Sequence, residues 1–188
     1  MIEKREAFQA VAAAIDPARA HFVDEAGTHI AMTRDYGRAQ RGERVVEHVP
    51  RNRGTVTTMI ASLCIDGIEA VCTFVGGTTG DRFAAYARDH LLRVVKPGDT
   101  VVWDGLAAHK DSRVRDLVEA AGATIVVLPP YSPDLNPIEF AWSLVKRALR
   151  SAKIRDGAKL PAGIAAACAA VSADIANAFI RHCGYGAA

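Results

Sequence analysis

The sequence predicts an α/β fold in which a mixed sheet, an antiparallel hairpin plus parallel strands, is flanked by helices. Two β-branched apolar runs, 55–65 and 68–75, meet at Asp66-Gly67, which is a strong hairpin signal. Two further apolar runs, 100–103 and 124–128, alternate with segments of helical periodicity, as parallel strands joined by helices do. At 188 residues, half of them hydrophobic, the chain is long enough for one domain with a sizeable core.

The first half of the chain contains two predicted helices outside the hairpin. Residues 3–15 carry an apolar stripe that ends before Pro17, and a strand over 20–24 follows. The polar stretch 33–54 is rich in Arg and Gly, which favours an extended loop or irregular β-arm. Residues 81–95 have helical spacing and are stopped by Pro97-Gly98.

The second half alternates between strands and helices. The apolar strand 100–103 precedes a helix over 112–121, which has Gly after its last periodic residue. The strand 124–128 precedes a helix over 137–150. An Ala-rich helical region over 162–182 closes the chain.

Composition excludes several classes of protein. No apolar run approaches the roughly 18 residues of a membrane span, and the N-terminus does not resemble a secretory signal. We therefore expect an intracellular, cytoplasmic protein with no membrane partner. The 4 cysteines show no C-x-x-C pattern and no His pairing at zinc spacing, which favours buried free thiols.

Basic residues form two clusters although the net charge is only +2. One cluster lies between Arg34 and Arg53, and the other comprises Lys146, Arg147, Arg150, Lys153 and Arg155. Such clusters are often only solvated faces, but they also suit the neutralisation of phosphates.

Three acidic residues are placed to converge on one edge of the sheet. Asp104 follows the strand 100–103, Asp24 ends the apolar run 20–23, and Glu139 lies in the first turn of a helix delivered by a proline-rich loop. Open α/β sheets bind ligands at the carboxyl ends of their strands. Clustered carboxylates suit Mg²⁺ or Mn²⁺, and paired ions of this kind serve phosphoryl transfer.

Two of these acids have a purely structural alternative. Asp104 precedes Gly105 and would also fit a turn. Glu139 completes Asn136-Pro137-Ile138-Glu139, a string typical of a helix N-cap with a capping box. Against the capping box, Glu139 lies on a stripe adjacent to the buried one, together with basic residues.

The third acid has a neighbour that competes for its role. Asp24 is followed by Glu25, and strand alternation predicts that only one of them faces the other acids. Asp24 shares its face with Phe22, and we favour it over Glu25.

Several strings resemble the insertion-sequence branch of the mariner-like DDE transposases. They are Phe22-Val23-Asp24-Glu25, Tyr36-Gly37-Arg38, Arg41-Gly42-Glu43-Arg44, Trp103-Asp104-Gly105-Leu106-Ala107-Ala108-His109-Lys110 and, most specific, Pro129-Pro130-Tyr131-Ser132-Pro133-Asp134-Leu135-Asn136-Pro137-Ile138-Glu139. The spacing from Asp104 to Glu139 also resembles the second-to-third acid spacing of that group. The resemblance covers roughly residues 20–150.

The resemblance implies a ribonuclease-H-like fold in which Asp24, Asp104 and Glu139 are both the catalytic and the metal-binding residues, with Mg²⁺ or Mn²⁺ as cofactor. The expected activity is cleavage of phosphodiester bonds at transposon ends, followed by transfer of the freed 3′-hydroxyl into target DNA. The expected organisation is a lead-in helix and linker over 1–19, a catalytic domain over 20–155 and a C-terminal helical extension over 156–188. The candidate DNA-binding residues are His109, Lys110, Lys146, Arg147 and Arg150.

The chain departs from the family pattern at two places. Members usually carry Asn directly after the second acid, where this chain has Gly105. Members also begin with helix-turn-helix domains, whereas here the first predicted strand starts at Ala20. We therefore expect an upstream recognition domain or a separate reading-frame product as a partner, besides transposon-end and target DNA.

The same acids would serve a ribonuclease H or a resolvase-like nuclease, and Gly105 would fit a decayed, non-catalytic nucleic-acid-binding remnant. The expectation allows a homodimer, and it places the bacterial protein at the nucleoid when it is bound to DNA.

Overall fold

The computed structural model describes residues 2–105 and 111–186. Within these ranges the strands are β1 (Ala20–Thr28), β2 (Thr57–Cys64), β3 (Gly67–Val75), β4 (Thr100–Trp103) and β5 (Thr124–Val127). The helices are α1 (Ile2–Ala14), α2 (Gly80–Asp89), α3 (Ser112–Ala120), α4 (Pro137–Ala152), α5 (Leu160–Ala169) and α6 (Ala173–His182).

The strands form one mixed sheet in the order β3-β2-β1-β4-β5. The hairpin β2–β3 is antiparallel, and β2 also pairs antiparallel with β1. On its other side β1 pairs parallel with β4, which pairs parallel with β5. The predicted fold class, an antiparallel hairpin joined to parallel strands, is therefore confirmed.

Helices cover both faces of the sheet, and strand alternation assigns the side chains to them. On one face Phe22 and Val102 belong to a core that includes residues of α1, α4, α5 and α6. On the other face Val23 and Val101 pack with buried residues of α2 and α3. The result is a three-layer arrangement in which β1 and β4 are buried on both faces.

The terminal helices share the main core with α4. Phe8 and Ala12 of α1 belong to it, as do Ile164 of α5 and Ile180 of α6. The proposed boundaries after residues 19 and 155 stay predictions. The structure adds that the segments on either side of them bury their apolar side chains in one common cluster.

The turn of the β2–β3 hairpin lies against the junction between α5 and α6. Gly67 has a φ of +126°, and a Cβ at this position would lie 2.5 Å from the carbonyl oxygen of Val171. A side chain is therefore excluded both by the backbone conformation and by the close approach. The predicted Asp66-Gly67 turn is confirmed, and its glycine also makes room for the C-terminal helices.

Two predicted helices differ from the observed ones. The helix expected to reach residue 95 ends at Asp89, and a short 3₁₀ turn, Leu91–Arg93, continues it and keeps Leu91 buried. The helical region 162–182 divides into α5 and α6, because the Ser172 hydroxyl accepts a hydrogen bond from the backbone of Ile175 and starts a new helix. No single helix of the described ranges is long and apolar enough to cross a membrane, and α5 and α6 meet that length and composition only as a pair bent by 74°.

A buried charged network connects three strands of the sheet. His21 on β1 contacts Glu69 on β3 through Nδ1 (2.6 Å) and Asp99, just before β4, through Nε2 (3.2 Å). The Arg19 guanidinium donates to the second oxygen of Asp99. Burial lowers the pKa of His21, but Glu69 and then Asp99 raise it, and the net shift is upward.

We expect this network to make stability depend on pH. Because the folded pKa of His21 lies above its ordinary value, its contribution is fully present below about pH 6.5 and is lost as the pH rises through the raised pKa. His21→Gln should lower the free energy of unfolding by about 2 kcal/mol at low pH and flatten its decline at higher pH, as measured by denaturant unfolding. His48→Gln, at an exposed histidine, should leave the decline in place; an unchanged profile in His21→Gln would contradict the assignment.

Candidate active site

Asp24 and Asp104 lie on neighbouring strands where β4 ends. The parallel pairing of β1 and β4 aligns Phe22 with Val102, and the same register carried two residues further aligns Asp24 with Asp104. The sequence suggested that Asp24 ends its strand, which is wrong, because β1 continues to Thr28 by pairing with β2. Asp24 instead lies beside the point where β4 stops, which is the carboxyl edge of the parallel part of the sheet.

Both aspartates lie on the face of the sheet that α4 covers. Phe22 and Ala26, on either side of Asp24, belong to the core under α4, and Asp24 itself is buried. Val102 belongs to the same core, so alternation directs Asp104 to that face as well. Glu25 follows on the opposite face by the same alternation, which agrees with the preference for Asp24.

The loop before α4 is held by contacts from both ends of the chain. The Arg5 guanidinium on α1 binds the Asp134 carboxylate at 2.5 Å and also donates to the Ser132 hydroxyl. Near the C-terminus the buried Tyr185 hydroxyl donates to the carbonyl oxygen of Leu135 at 2.8 Å. Asp134 therefore helps to fix the start of α4.

Glu139 does not take part in a capping box. The backbone N–H that its carboxylate would have to reach, that of Asn136, donates to the carbonyl oxygen of Pro133 at 3.0 Å. The Asn136 side chain makes no capping hydrogen bond, and its buried Oδ1 has no partner. The capping interpretation of Glu139 is therefore wrong, and its half-buried carboxylate faces the charges of the site instead.

Trp142 forms a bond that sequence reasoning missed. Its indole Nε1–H donates to Oδ2 of Asp24 over 3.1 Å, and both side chains are buried. Trp142 belongs to the buried stripe of α4. No signal in the sequence alone showed that its nitrogen would meet the carboxylate, because the two residues are 118 positions apart.

The three acids act on one another electrostatically. Burial raises the pKa of Asp24 to about 8, with further increases from the charges of Glu139, Glu25 and Asp104. Burial also raises the pKa of Glu139, where Lys146 lowers it and Asp104 raises it again. Elements far apart in sequence thus bring Asp24, Asp104 and Glu139 within electrostatic reach of one another, and the ionisation of Asp24 and Glu139 is disfavoured there.

The donor set fits a hard divalent cation. Carboxylate oxygens are the ligands that Mg²⁺ and Mn²⁺ prefer, and a cation would relieve the repulsion that raises these pKa values. Within the described residues no group of three or more His, Cys, Asp or Glu side chains is drawn together closely enough to hold a metal ion. The metal-binding role of Asp24, Asp104 and Glu139 stays a prediction.

Nothing in the described surroundings of position 105 requires a glycine. Gly105 is exposed, and a Cβ there would meet only a methyl group of Val127 at 4.0 Å. Its backbone is also outside the left-handed region. The departure from the family pattern at this position is thus a lost side chain and not a response to strain.

The two basic clusters of the sequence meet along α4. The arm, defined as residues 33–54, contains no helix or strand, so of the two predicted alternatives it is the extended loop. It lies beside the exposed side of α4. Arg34 donates to the Ser151 hydroxyl at 3.2 Å, Arg150 lies 3.8 Å from the Asp35 carboxylate, and Lys153 forms an ion pair with Glu47.

An open cleft of about 530 Å³ separates the arm from α4. Its lining includes Arg34, Tyr36, Ser143, Arg147 and Arg150. Of the candidate DNA-binding residues, Arg147 and Arg150 therefore face this cleft and Lys146 acts on Glu139. His109 and Lys110 lie outside the described residues.

Comparisons with known proteins agree with this architecture. A model of the DDE superfamily endonucleases matches residues 19–161. The solved structures that match 97% of the chain include two Mos1 complexes and one catalytic domain. The complexes are the Mos1 transposase paired-end complex with left transposon end (TM-score 0.77, 17% identity, 57% of that chain) and the Mos1 mariner paired end complex with Mn (TM-score 0.70, 15% identity, 57% of that chain). The third is the Mos1 transposase catalytic domain and raltegravir with Mg (TM-score 0.73, 15% identity, 89% of that chain). The chain thus spans a little more than half the length of the Mos1 chains in the two complexes. No curated protein matches it in sequence. The structural likeness confirms the ribonuclease-H-like fold.

The raised pKa of Asp24 predicts how the metal-free protein responds to pH. The folded pKa of about 8 exceeds the ordinary 3.8, so the free energy of unfolding should fall as the pH rises through that window. Asp24→Asn cannot ionise but still offers an oxygen to the Trp142 indole, and it should therefore exceed the parent stability at about pH 9, by on the order of several kcal/mol.

Denaturant unfolding in the presence of a chelator measures this difference. Asp116→Asn, at an exposed acid of α3, is the matched control and should follow the parent curve. An Asp24→Asn protein that is less stable than the parent at the higher pH would show that the fold does not raise the pKa of Asp24.

Proposed function

Because the chain belongs to the DDE superfamily endonucleases, we propose that it is the catalytic domain of a DNA transposase of the insertion-sequence branch. It cuts a phosphodiester bond at a transposon end and joins the freed 3′-hydroxyl to target DNA. The observation that carries the proposal is the mutual electrostatic influence of Asp24, Asp104 and Glu139, which come from β1, the end of β4 and the first turn of α4.

The three acids share one role in the proposed chemistry. Asp24, Asp104 and Glu139 would hold Mg²⁺ or Mn²⁺ through their carboxylate oxygens, and two such ions would serve the cleavage and the joining step. Bound Mg²⁺ or Mn²⁺ would activate the attacking oxygen and neutralise charge on the phosphate. The chain itself contributes rigid placement: the sheet fixes the two aspartates, and the clamped loop before α4 fixes the glutamate.

The cleft between the arm and α4 is the proposed DNA surface. Arg147 and Arg150 line it, on the same helix as Glu139, and Arg34 faces them from the arm. Guanidinium groups bind phosphates well, whereas no described element is presented as a recognition helix for a DNA groove. We propose that this surface holds the DNA backbone, and that end recognition requires a helix-turn-helix domain or a separate protein, in a homodimer or a larger assembly in the cytoplasm.

Metal binding tests the proposed site. Mn²⁺ or Mg²⁺ should raise the melting temperature, because a cation that binds only the folded state stabilises it by about 2.7 kcal/mol at a hundredfold excess over Kd. Asp104→Asn should remove most of this gain, whereas Asp116→Asn should keep it.

The reaction itself separates transposase from its rivals. With Mn²⁺, the parent protein should join a short duplex bearing a 3′-hydroxyl to a plasmid, and Asp104→Asn should not. Cleavage confined to the RNA strand of an RNA–DNA hybrid would identify a ribonuclease H instead. A parent protein with neither a metal response nor a product on any substrate would be a non-catalytic remnant.

DNA affinity tests the proposed cleft. Arg147→Ala and Arg150→Ala should each weaken binding to all sequences about equally and reduce the slope of log K against log salt by about 0.9, which is the value for one phosphate contact. Arg115→Ala, on α3 at the opposite face, is the matched control and should leave the slope unchanged. Selection of one terminal sequence over random DNA by about a thousandfold would contradict a surface that reads only phosphates.

A further inference from the structure

The indole of Trp142 connects two elements that carry the proposed catalytic acids. It lies on α4 and donates from Nε1 to Oδ2 of Asp24 on β1 over 3.1 Å. Trp142 is 1% exposed and Asp24 is 6% exposed, so water does not compete for this bond. Glu139 precedes Trp142 by one helical turn. The bond to Asp24 therefore acts one turn away from Glu139, the acid that α4 carries.

A buried tryptophan needs a hydrogen-bond acceptor, but this need alone does not explain why the acceptor is the Asp24 carboxylate. A buried indole N–H or phenol O–H usually finds an acceptor, and a backbone carbonyl is sufficient. The Tyr185 hydroxyl in the same core does this with the carbonyl oxygen of Leu135. Trp142 instead donates to the Asp24 carboxylate, whose pKa burial and neighbouring acids raise. This choice of acceptor points to a role for the bond in orienting the carboxylate.

The bond restricts the carboxylate without occupying it. A carboxylate has two oxygens with about four lone-pair sites. The Trp142 indole takes one site on Oδ2. Capacity for a cation remains, but the plane of the carboxylate is restricted.

We propose that Trp142 is a positioning residue for the divalent cation of the function proposed above. Its N–H holds the Asp24 carboxylate in the orientation that binds metal, and the same bond holds the first turns of α4, with Glu139, at a defined height over β1. Partners that orient metal ligands in this way typically contribute a factor of about 10 to 100 in metal affinity.

Trp142→Phe removes the N–H donor and keeps an aromatic ring in the core. Calorimetric titration of the metal-free protein with Mn²⁺ should show Kd raised by about 10- to 100-fold. In DNA joining, the Mn²⁺ concentration for half-maximal rate should rise by a similar factor while KM for DNA stays unchanged.

Two other variants separate the possible failures. Thr58→Val loses one buried hydrogen bond, from the hydroxyl to the carbonyl oxygen of Gly76, away from the contacts that hold α4, so its Kd for Mn²⁺ should equal that of the parent. Asp24→Asn should lose Mn²⁺ binding altogether. If Asp24→Asn binds Mn²⁺ like the parent, the proposed function fails; if it loses binding while Trp142→Phe binds like the parent, only the role of Trp142 fails.

A spectroscopic measurement tests the bond without altering it. The chain has 2 tryptophans, so Trp103→Phe leaves Trp142 as the sole tryptophan, whose emission can be excited selectively. Titration with Mg²⁺ should change its emission in step with the calorimetric binding curve, and the additional change Asp24→Asn should abolish the response. Metal binding with unchanged Trp142 emission would overturn the proposal.

Discussion

The packing of α4 across β1 is the constraint on which the rest of the site depends. The sheet alone aligns Asp24 with Asp104, because Asp24 lies on β1 and Asp104 directly follows β4, the parallel partner of β1. Glu139 can join them only if α4 enters at one position, and its buried stripe, which includes Ile138, fixes the rotation of the helix. Contacts to the preceding loop from α1 and from the C-terminal segment fix where the helix starts. A site made of three short side chains thus needs most of the chain to assemble.

The same packing forces acids together in a place that opposes their charge. A carboxylate that is buried beside two others weakens the fold, and natural proteins tolerate such local conflict mainly where function requires it. The conflict is confined to the end of β4. At the opposite end of the sheet the acids have basic partners. His21 and Arg19 pair there with Asp99, and His21 also pairs with Glu69. Basic side chains thus offset the acids at that end, whereas burial and neighbouring acids raise the pKa values of Asp24 and Glu139 at the other end.

Local patterns predicted most of the fold. The Asp66-Gly67 turn, the run that became β4 and the proline at the start of α4 each act through near neighbours, so the sequence alone reveals them. It also predicted which of Asp24 and Glu25 shares a face with Asp104, because alternation is a local property. The Trp142 bond, the contact between the arm and α4, and the break at Ser172 depend on packing between distant segments. Periodicity carries no information about those partners.

The bond from Arg5 to Asp134 also determines where the polypeptide enters the fold. It places the first turn of α1 beside the loop that leads into α4 and Glu139. In a longer protein, a module fused ahead of α1 would emerge next to the proposed site and would need little linker to present a bound double helix there. The geometry of the entry point would then set how far such a module reaches.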